Sequence, residues 1–181
     1  MDTTPGIFLT IGHSTRPVAE FIELLSESAV RLVADVRTVP RSRTNPQYDR
    51  DTLPASLASA DIGYAHMPAL GGLRGRDAKT PADVNGFWDN ASFHNYADYA
   101  LSPAFADGLQ ALRDAGHARR CAIMCAEAVW WRCHRRIVSD YLLAHGESVF
   151  HIMGRGNVEP AMLNPAARAA DGVLVYPRMP A

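Results

Sequence analysis

Apolar residues along this chain switch between two periods. Residues 7–11, IFLTI, form a short apolar run closed by Gly12, and the following PVAEFIELLSES places Phe21, Leu24 and Leu25 at the spacing of one helical face. The pattern predicts a strand and then a helix. RLVADV at 31–36 repeats the strand signal, the polar, proline-punctuated RTVPRSRTNPQYDRD reads as a long loop, and DTLPASLASA as a short helix. A weaker extended run, YAHMPAL, ends at Gly71 and Gly72. Residues 71–95 scatter aromatics without a clean period, which predicts an irregular excursion or lid whose Phe87, Trp88, Phe93 and Tyr96 fold it back onto the domain. Residues 96–116 are helical around Pro103 and lead into RRCAIMCAE, the most strand-like segment. Residues 131–145 predict a helix stopped by Gly146, SVFHIM a further strand, and residues 154–181 an irregular C-terminal extension with one extended piece, VLVY.

Strands alternating with helices predict a single α/β domain over residues 1–181, with a mostly parallel, doubly wound sheet and helices on both faces. A hydrophobic content of 48% is ordinary for a packed core. The formal charge of -1, from 18 basic and 19 acidic side chains, gives no global field for nucleic acid or an anionic membrane, so any anion preference is local. No apolar stretch approaches the roughly 20 residues that span a bilayer, and MDTTPGIFLTIGHS lacks the regions of a secretory signal. No membrane partner is expected, and the expected compartment is the cytoplasm. Three cysteines, an odd number with no zinc-ribbon spacing, fit reduced thiols.

Parallel sheets bind ligands outside the carboxyl ends of their strands. That rule collects Gly12, His13 and Ser14; Asp35 and Arg37; residues 70–74 with Gly71, Gly72 and Arg74; Cys125 and Glu127; and His151. The four stretches TIGHST, DVRTVPRSR, PALGGLRGR and CAEAVWWRCHRR, in that order, resemble the family catalogued as domain of unknown function 488 over about residues 7–153. The resemblance falls on Gly12, His13 and Ser14; Asp35, Val36, Arg37, Pro40 and Arg43; Gly71 and Gly72; Cys125, Ala126 and Glu127; and Cys133, His134 and Arg135. It implies a fold and a site and leaves the reaction open.

Chemistry centres on residues 125–136. A cysteine where a strand meets a helix N-terminus, with arginine nearby, favours its thiolate, and Cys125 is the candidate nucleophile; the alternative is a small buried hydrophobe. Six residues separate Cys125 from Arg132, one more than the phosphatase pattern allows, and AEAVWW has no glycine to wrap an anion. Cys121 and Cys125 on one strand lie about 13 Å apart at roughly 3.3 Å per residue, which removes Cys121 from any shared metal or disulfide. Any metal would fall to Cys125, Cys133 and His134. Arg132, Arg135 and Arg136 near a helix start are disfavoured by about 0.3–1 kcal/mol each, so an anion, Glu127 or a ligand, is expected to compensate.

Asp35 and Arg37 are either a structural ion pair or face substrate. Trp130 and Trp131 either wall the pocket or join the core. Arg41, Arg43 and Arg50 beside Tyr48 suit a nucleotide or nucleic-acid backbone with a stacked base, or form a solvated loop.

The leading expectation is a small enzyme acting on an anionic, nucleotide-like or nucleic-acid-derived substrate, with cysteine-dependent chemistry favoured and no cofactor specified. Cys125, Glu127, Asp35, His13 and His134 carry the chemistry; Ser14, Arg37, Arg43, Tyr48, Gly71, Gly72, Arg74, Arg132 and Arg135 bind. The alternatives are a non-catalytic nucleotide or nucleic-acid binding module and a metal- or thiol-dependent redox protein.

Overall fold

The structure is a computed structural model and describes residues 4–181. Six strands form one sheet in the order β3-β2-β4-β1-β5-β6. They are β1 (Ile7–Gly12), β2 (Leu32–Asp35), β3 (Gly63–His66), β4 (Cys121–Cys125), β5 (Ser148–Gly154) and β6 (Asn157–Pro160). β1 to β5 are mutually parallel and β6 is antiparallel to β5. The central strands β2 and β4 are buried on both faces; β4 reads as an unbroken apolar run and β2 as one ended by Asp35, as suits parallel strands between two helical layers.

Alternation along each strand then divides the core. Leu9, Ile11, Val33 and Met124 meet α1 (Val18–Glu27) and α2 (Leu53–Ala58), whose buried residues are Phe21, Leu24, Leu25, Leu53 and Leu57. Phe8, Ala34, Ile123 and Cys125 point the other way, to α3 (Ala91–Tyr99), α4 (Pro103–Ala118) and α5 (Arg135–Ala144). The sheet is therefore doubly wound, as its sequence pattern predicts.

Three stretches differ from the sequence expectation. The helix anticipated through Pro103 is two helices, because Pro103 lacks an N–H and takes the first position of α4, with Ser102 capping. The helix anticipated from residue 131 begins at Arg135, after a 3-10 turn at Trp130–Arg132. Residues 154–181 are not an irregular extension. They add β6 to the sheet and fold β7 (Arg168–Ala170) and β8 (Val173–Val175) into a hairpin turned by Asp171 and Gly172, both at positive φ, the primed-turn geometry suited to tight hairpins.

The end of the chain belongs to the core on the α3–α5 side, where Leu174 and Tyr176 are buried. Asn85 links it to residues 71–95, accepting from the Tyr176 backbone N–H and donating to Asp98. Trp88 packs against Phe87, Phe93 and Tyr176, so this excursion does fold onto the domain. No helix among the described residues is long and apolar enough to cross a membrane.

Asp140 of α5 accepts from the Tyr176 hydroxyl and the Asn164 backbone N–H, and among the described residues no basic group pairs with it. Burial raises its pKa from 3.8 to about 6, against the pull of those two bonds. Between about pH 4 and 6 the folded protein then holds a proton that the unfolded chain has lost, and this group's stabilising contribution falls as pH rises. Asp140→Asn should remove that slope. In denaturant titrations across the window, the stability of wild type relative to the variant is expected to fall by roughly 1–3 kcal/mol with rising pH; parallel curves would contradict the assignment.

Candidate functional site

β4 is followed by α5 on one face of the sheet, while its neighbours β1 and β2 are followed by α1 and α2 on the other. Connections that leave in opposite directions open a crevice beyond the strand ends. At the β1 border the gap is shut: His13 and Ser14 donate backbone N–H groups to the carbonyls of Cys125 and Ala126, and the Glu127 backbone lies directly on Gly12, where a Cβ would collide with its carbonyl. At the β2 border the gap stays open as a cavity of about 470 Å3. Residues 37–39 and 125–127 form its base, Cys133 and His134 one side, and Asn90, Ser92 and Phe93 the rim beyond them. Asn90 is the N-cap of α3, and its side chain accepts from the N–H groups of Ser92 and Phe93.

Under the floor lies Arg135, only 1% exposed. Its Nη1 donates to Sγ of Cys125 and to the Glu127 carbonyl at 2.8 Å, and Nη2 to the Ala128 carbonyl at 3.4 Å. Nε is buried without a partner. Among the described residues no carboxylate oxygen comes within 4.0 Å of this guanidinium. Burial lowers its pKa to about 10, which leaves it charged at neutral pH. The loop after β4 thus turns carbonyls, not N–H groups, toward the cation, and it is not an amide cradle for phosphate.

Cys133 faces Cys125 with their sulfurs in contact and their Cα atoms 7.4 Å apart. The Arg135 backbone N–H, in the first turn of α5, donates to the Cys133 sulfur at 3.4 Å. His134 Nε2 donates to the Val36 carbonyl at 2.8 Å, which fixes the tautomer and leaves Nδ1 as an acceptor 3.6 Å from the Cys133 sulfur. Burial lowers the His134 pKa to about 4, so the ring is neutral at ordinary pH. A Cβ on Gly72 would strike this ring, which is why the turn after residue 70 carries glycine there.

Arg37 enters the cavity from a different network. Asp35, 0% exposed, grips it in a fork, with Nε to Oδ1 at 2.9 Å and Nη2 to Oδ2 at 2.7 Å, and Tyr64 donates its hydroxyl to the same carboxylate. Nη2 also reaches the Tyr48 carbonyl at 2.7 Å, and Nη1 reaches His13 Nε2 at 3.4 Å. His13 is buried, stacked on Tyr48, and donates from Nδ1 to the Ser14 carbonyl. Burial opposes the charge on Arg37, yet its bonds to Asp35 prevail and its pKa is raised. One N–H of Nη1 remains for the cavity.

The expected residues therefore separate. Cys125, Glu127, His134, Arg37, Gly72 and Arg132 line the cavity, and Cys133 joins them. Asp35, His13 and Tyr48 stand behind Arg37, and Arg135 stands behind Cys125. Arg74 is spent on the carbonyls of Pro68 and Gly71 and on the Tyr99 ring. Ser14, Arg43 and Gly71 are not on the cavity wall. Trp131 is exposed, and Trp130 stacks on His151, which sits within β5 bonded to Thr10 and not beyond the strand's end. Phe93, expected to fold the excursion onto the domain, lines the cavity, while Asn90 and Ser92 are additions the sequence reading missed; an asparagine three residues before Phe93 is an N-cap signal that would have placed a helix start there. Among the described residues no group of three or more His, Cys, Asp or Glu is arranged to hold a metal ion.

The family described as Domain of unknown function DUF488 matches residues 17–142, more than half of the chain. The chain belongs to the DUF488 family. No curated protein and no solved structure matches it. The matched span of this DUF488 protein holds both walls of the cavity and Arg135, while His13 and Ser14 lie before it and β5 to β8 after it.

Gly12 tests the construction of the floor. Gly12→Ala must push the Glu127 backbone away from Arg135 and should cost about 1–3 kcal/mol in denaturant unfolding, whereas Gly154→Ala, with open space around it, should be close to neutral. Equal effects of the two would show that the close approach at Gly12 does not constrain the fold.

Proposed function

We propose that this protein is a small enzyme in which Cys125, as a thiolate, attacks an anionic, nucleotide-like substrate held in the cavity beyond β2 and β4. The observation that carries this reading is Arg135, a buried cation whose guanidinium, among the described residues, has the Cys125 sulfur as its one ionisable contact. A guanidinium at that distance favours the thiolate over the thiol, and the thiolate is the nucleophilic form.

The charge balance of the walls supports an anionic substrate. Arg37, Arg41 and Arg132 line the cavity against a single carboxylate, Glu127. Arg37 is held by Asp35 and His13 with one N–H to spare, so it binds without first losing side-chain entropy. A volume of about 470 Å3 suits a mononucleotide-sized ligand, and Phe93 offers an aromatic face to a base.

Roles divide accordingly. Glu127, an exposed residue of the cavity lining, is the carboxylate placed to exchange protons with a bound substrate. His134, neutral, acts through its Nδ1 lone pair. Asp35 and His13 position Arg37 and do not touch substrate. A reduced thiol pair suits the cytoplasm.

Alkylation of the native protein tests the reading. At neutral pH iodoacetamide should modify Cys125 at least about tenfold faster than Cys121, whose thiol burial pushes up to about 12. Millimolar adenosine monophosphate should slow the reaction, and the double variant Arg41→Ala, Arg132→Ala should abolish that protection. Cys125→Ser should lose the labelling. Labelling that is slow, uniform over the three cysteines and indifferent to the nucleotide would refute the proposal.

A further inference from the structure

We propose that Cys133 is the resolving partner of Cys125, and that the cavity carries out thiol–disulfide exchange with an anionic disulfide. The inference rests on the Cys125 nucleophile proposed above and adds the reaction class. Two cysteines eight residues apart, one ending β4 and one just before α5, have their sulfurs in contact on the cavity wall. Their surroundings are complementary. The Cys125 sulfur takes a guanidinium N–H from Arg135, whose Nε is buried and otherwise unpartnered, while the Cys133 sulfur takes the Arg135 backbone N–H. A single residue thus supports negative charge on both sulfurs through two different groups.

His134 completes the pair. With Nε2–H committed to Val36, its Nδ1 faces the Cys133 sulfur and accepts the thiol proton in a hydrogen bond. Cys125 therefore stands beside a permanent cation, and Cys133 beside a neutral acceptor, which assigns attack to the first and resolution to the second. Cα atoms 7.4 Å apart exceed the usual disulfide span of about 4.4–6.8 Å, so covalent closure requires a small backbone movement. Residues 126–134 contain only one 3-10 turn and supply it, while α5 stays anchored by Ile137, Val138 and Leu142.

The steps balance. The Cys125 thiolate forms a bond to one sulfur of the substrate disulfide, the substrate S–S bond breaks, and the departing thiolate takes a proton from water. Cys133 then attacks the Cys125 sulfur; the bond between Cys125 and the substrate sulfur breaks, and the Cys133 proton, held toward His134, ends on the leaving sulfur. Two electrons pass from the cysteine pair to the substrate, which leaves as two thiols. A small thiol reductant returns the pair to its starting state.

The test treats reduced wild type and Cys133→Ser with oxidised glutathione, an anionic disulfide, followed by acid quenching, intact mass and peptide mapping. Wild type should lose two hydrogens, retain no adduct and yield a Cys125–Cys133 crosslinked peptide; Cys133→Ser should retain one glutathione on Cys125. Cystamine, a cationic disulfide, should react about tenfold more slowly, and equal rates would overturn the anionic substrate class. A stable glutathione adduct on Cys125 of the wild type overturns the resolving role and leaves the nucleophile intact. No modification of Cys125 in either protein overturns the nucleophile, and this inference with it. The crosslinked peptide of the wild type decides the resolving role even if the variant fails to fold.

Discussion

A guanidinium sealed from water needs a negative partner, and among the described residues no carboxylate touches Arg135 to supply it. Moving such a charge out of water costs several kcal/mol even after relaxation. Here the Glu127 and Ala128 carbonyls recover part of that cost through their dipoles, and the Cys125 sulfur, once ionised, recovers more. Each of these partners imposes a condition on the chain. The carbonyls face inward only if the backbone after β4 crosses tightly over β1, which requires glycine at position 12. The sulfur faces inward only if Cys125 is in register with Ile123 and Cys121 on the α5 side of the sheet. Arg135 reaches both because α5 starts at its own position, after the 3-10 turn.

The rest of the site follows from topology and from a second buried charge. Reversal of the winding at β4 leaves a gap on its β2 side, and Asp35 fills the space behind that gap with a carboxylate on the α1 and α2 face. Arg37 emerges between the two layers, anchored on one side and open on the other. The Cys125 sulfur and an anchored guanidinium meet across one cavity although their supporting residues lie on opposite faces of the sheet. Such division keeps the two charged networks from competing for the same partners.

Much of this was legible in the sequence. The apolar runs of β1, β2, β4 and β5 and the period of α1 gave the parallel sheet, the carboxyl-edge rule then pointed to Arg37, Cys125 and Glu127, and the charged stretch 125–136 added Arg132 and His134. What it could not resolve is depth. Asp35 and Arg37 sit two residues apart on one strand end, and only the packing of Tyr64 and His13 around them makes one a buried anchor and the other a cavity residue. Arg135 read as a substrate clamp because arginine is rarely buried, whereas the turn's carbonyls draw it beneath the floor. Asn90 and Ser92 were missed because residues 71–95 are held by long-range contacts, such as Asn85 to Tyr176, that leave no periodic trace. Of the C-terminal hairpin only β8 was legible, as the extended piece VLVY; β7 escaped notice because a three-residue strand is too short to show alternation, although Asp171-Gly172 is a hairpin-turn dipeptide.

The central claim is that the Cys125 sulfur carries the charge that answers Arg135. Thiolate absorbance in the ultraviolet, followed against pH for reduced wild type and for Cys125→Ser, isolates that sulfur by difference. The expected result is a difference signal that survives at neutral pH, with a midpoint below the ordinary thiol value of about 8.5, because the Arg135 guanidinium favours the charged sulfur. A midpoint at or above that value would mean that the sulfur is a neutral thiol packed against a cation it does not answer.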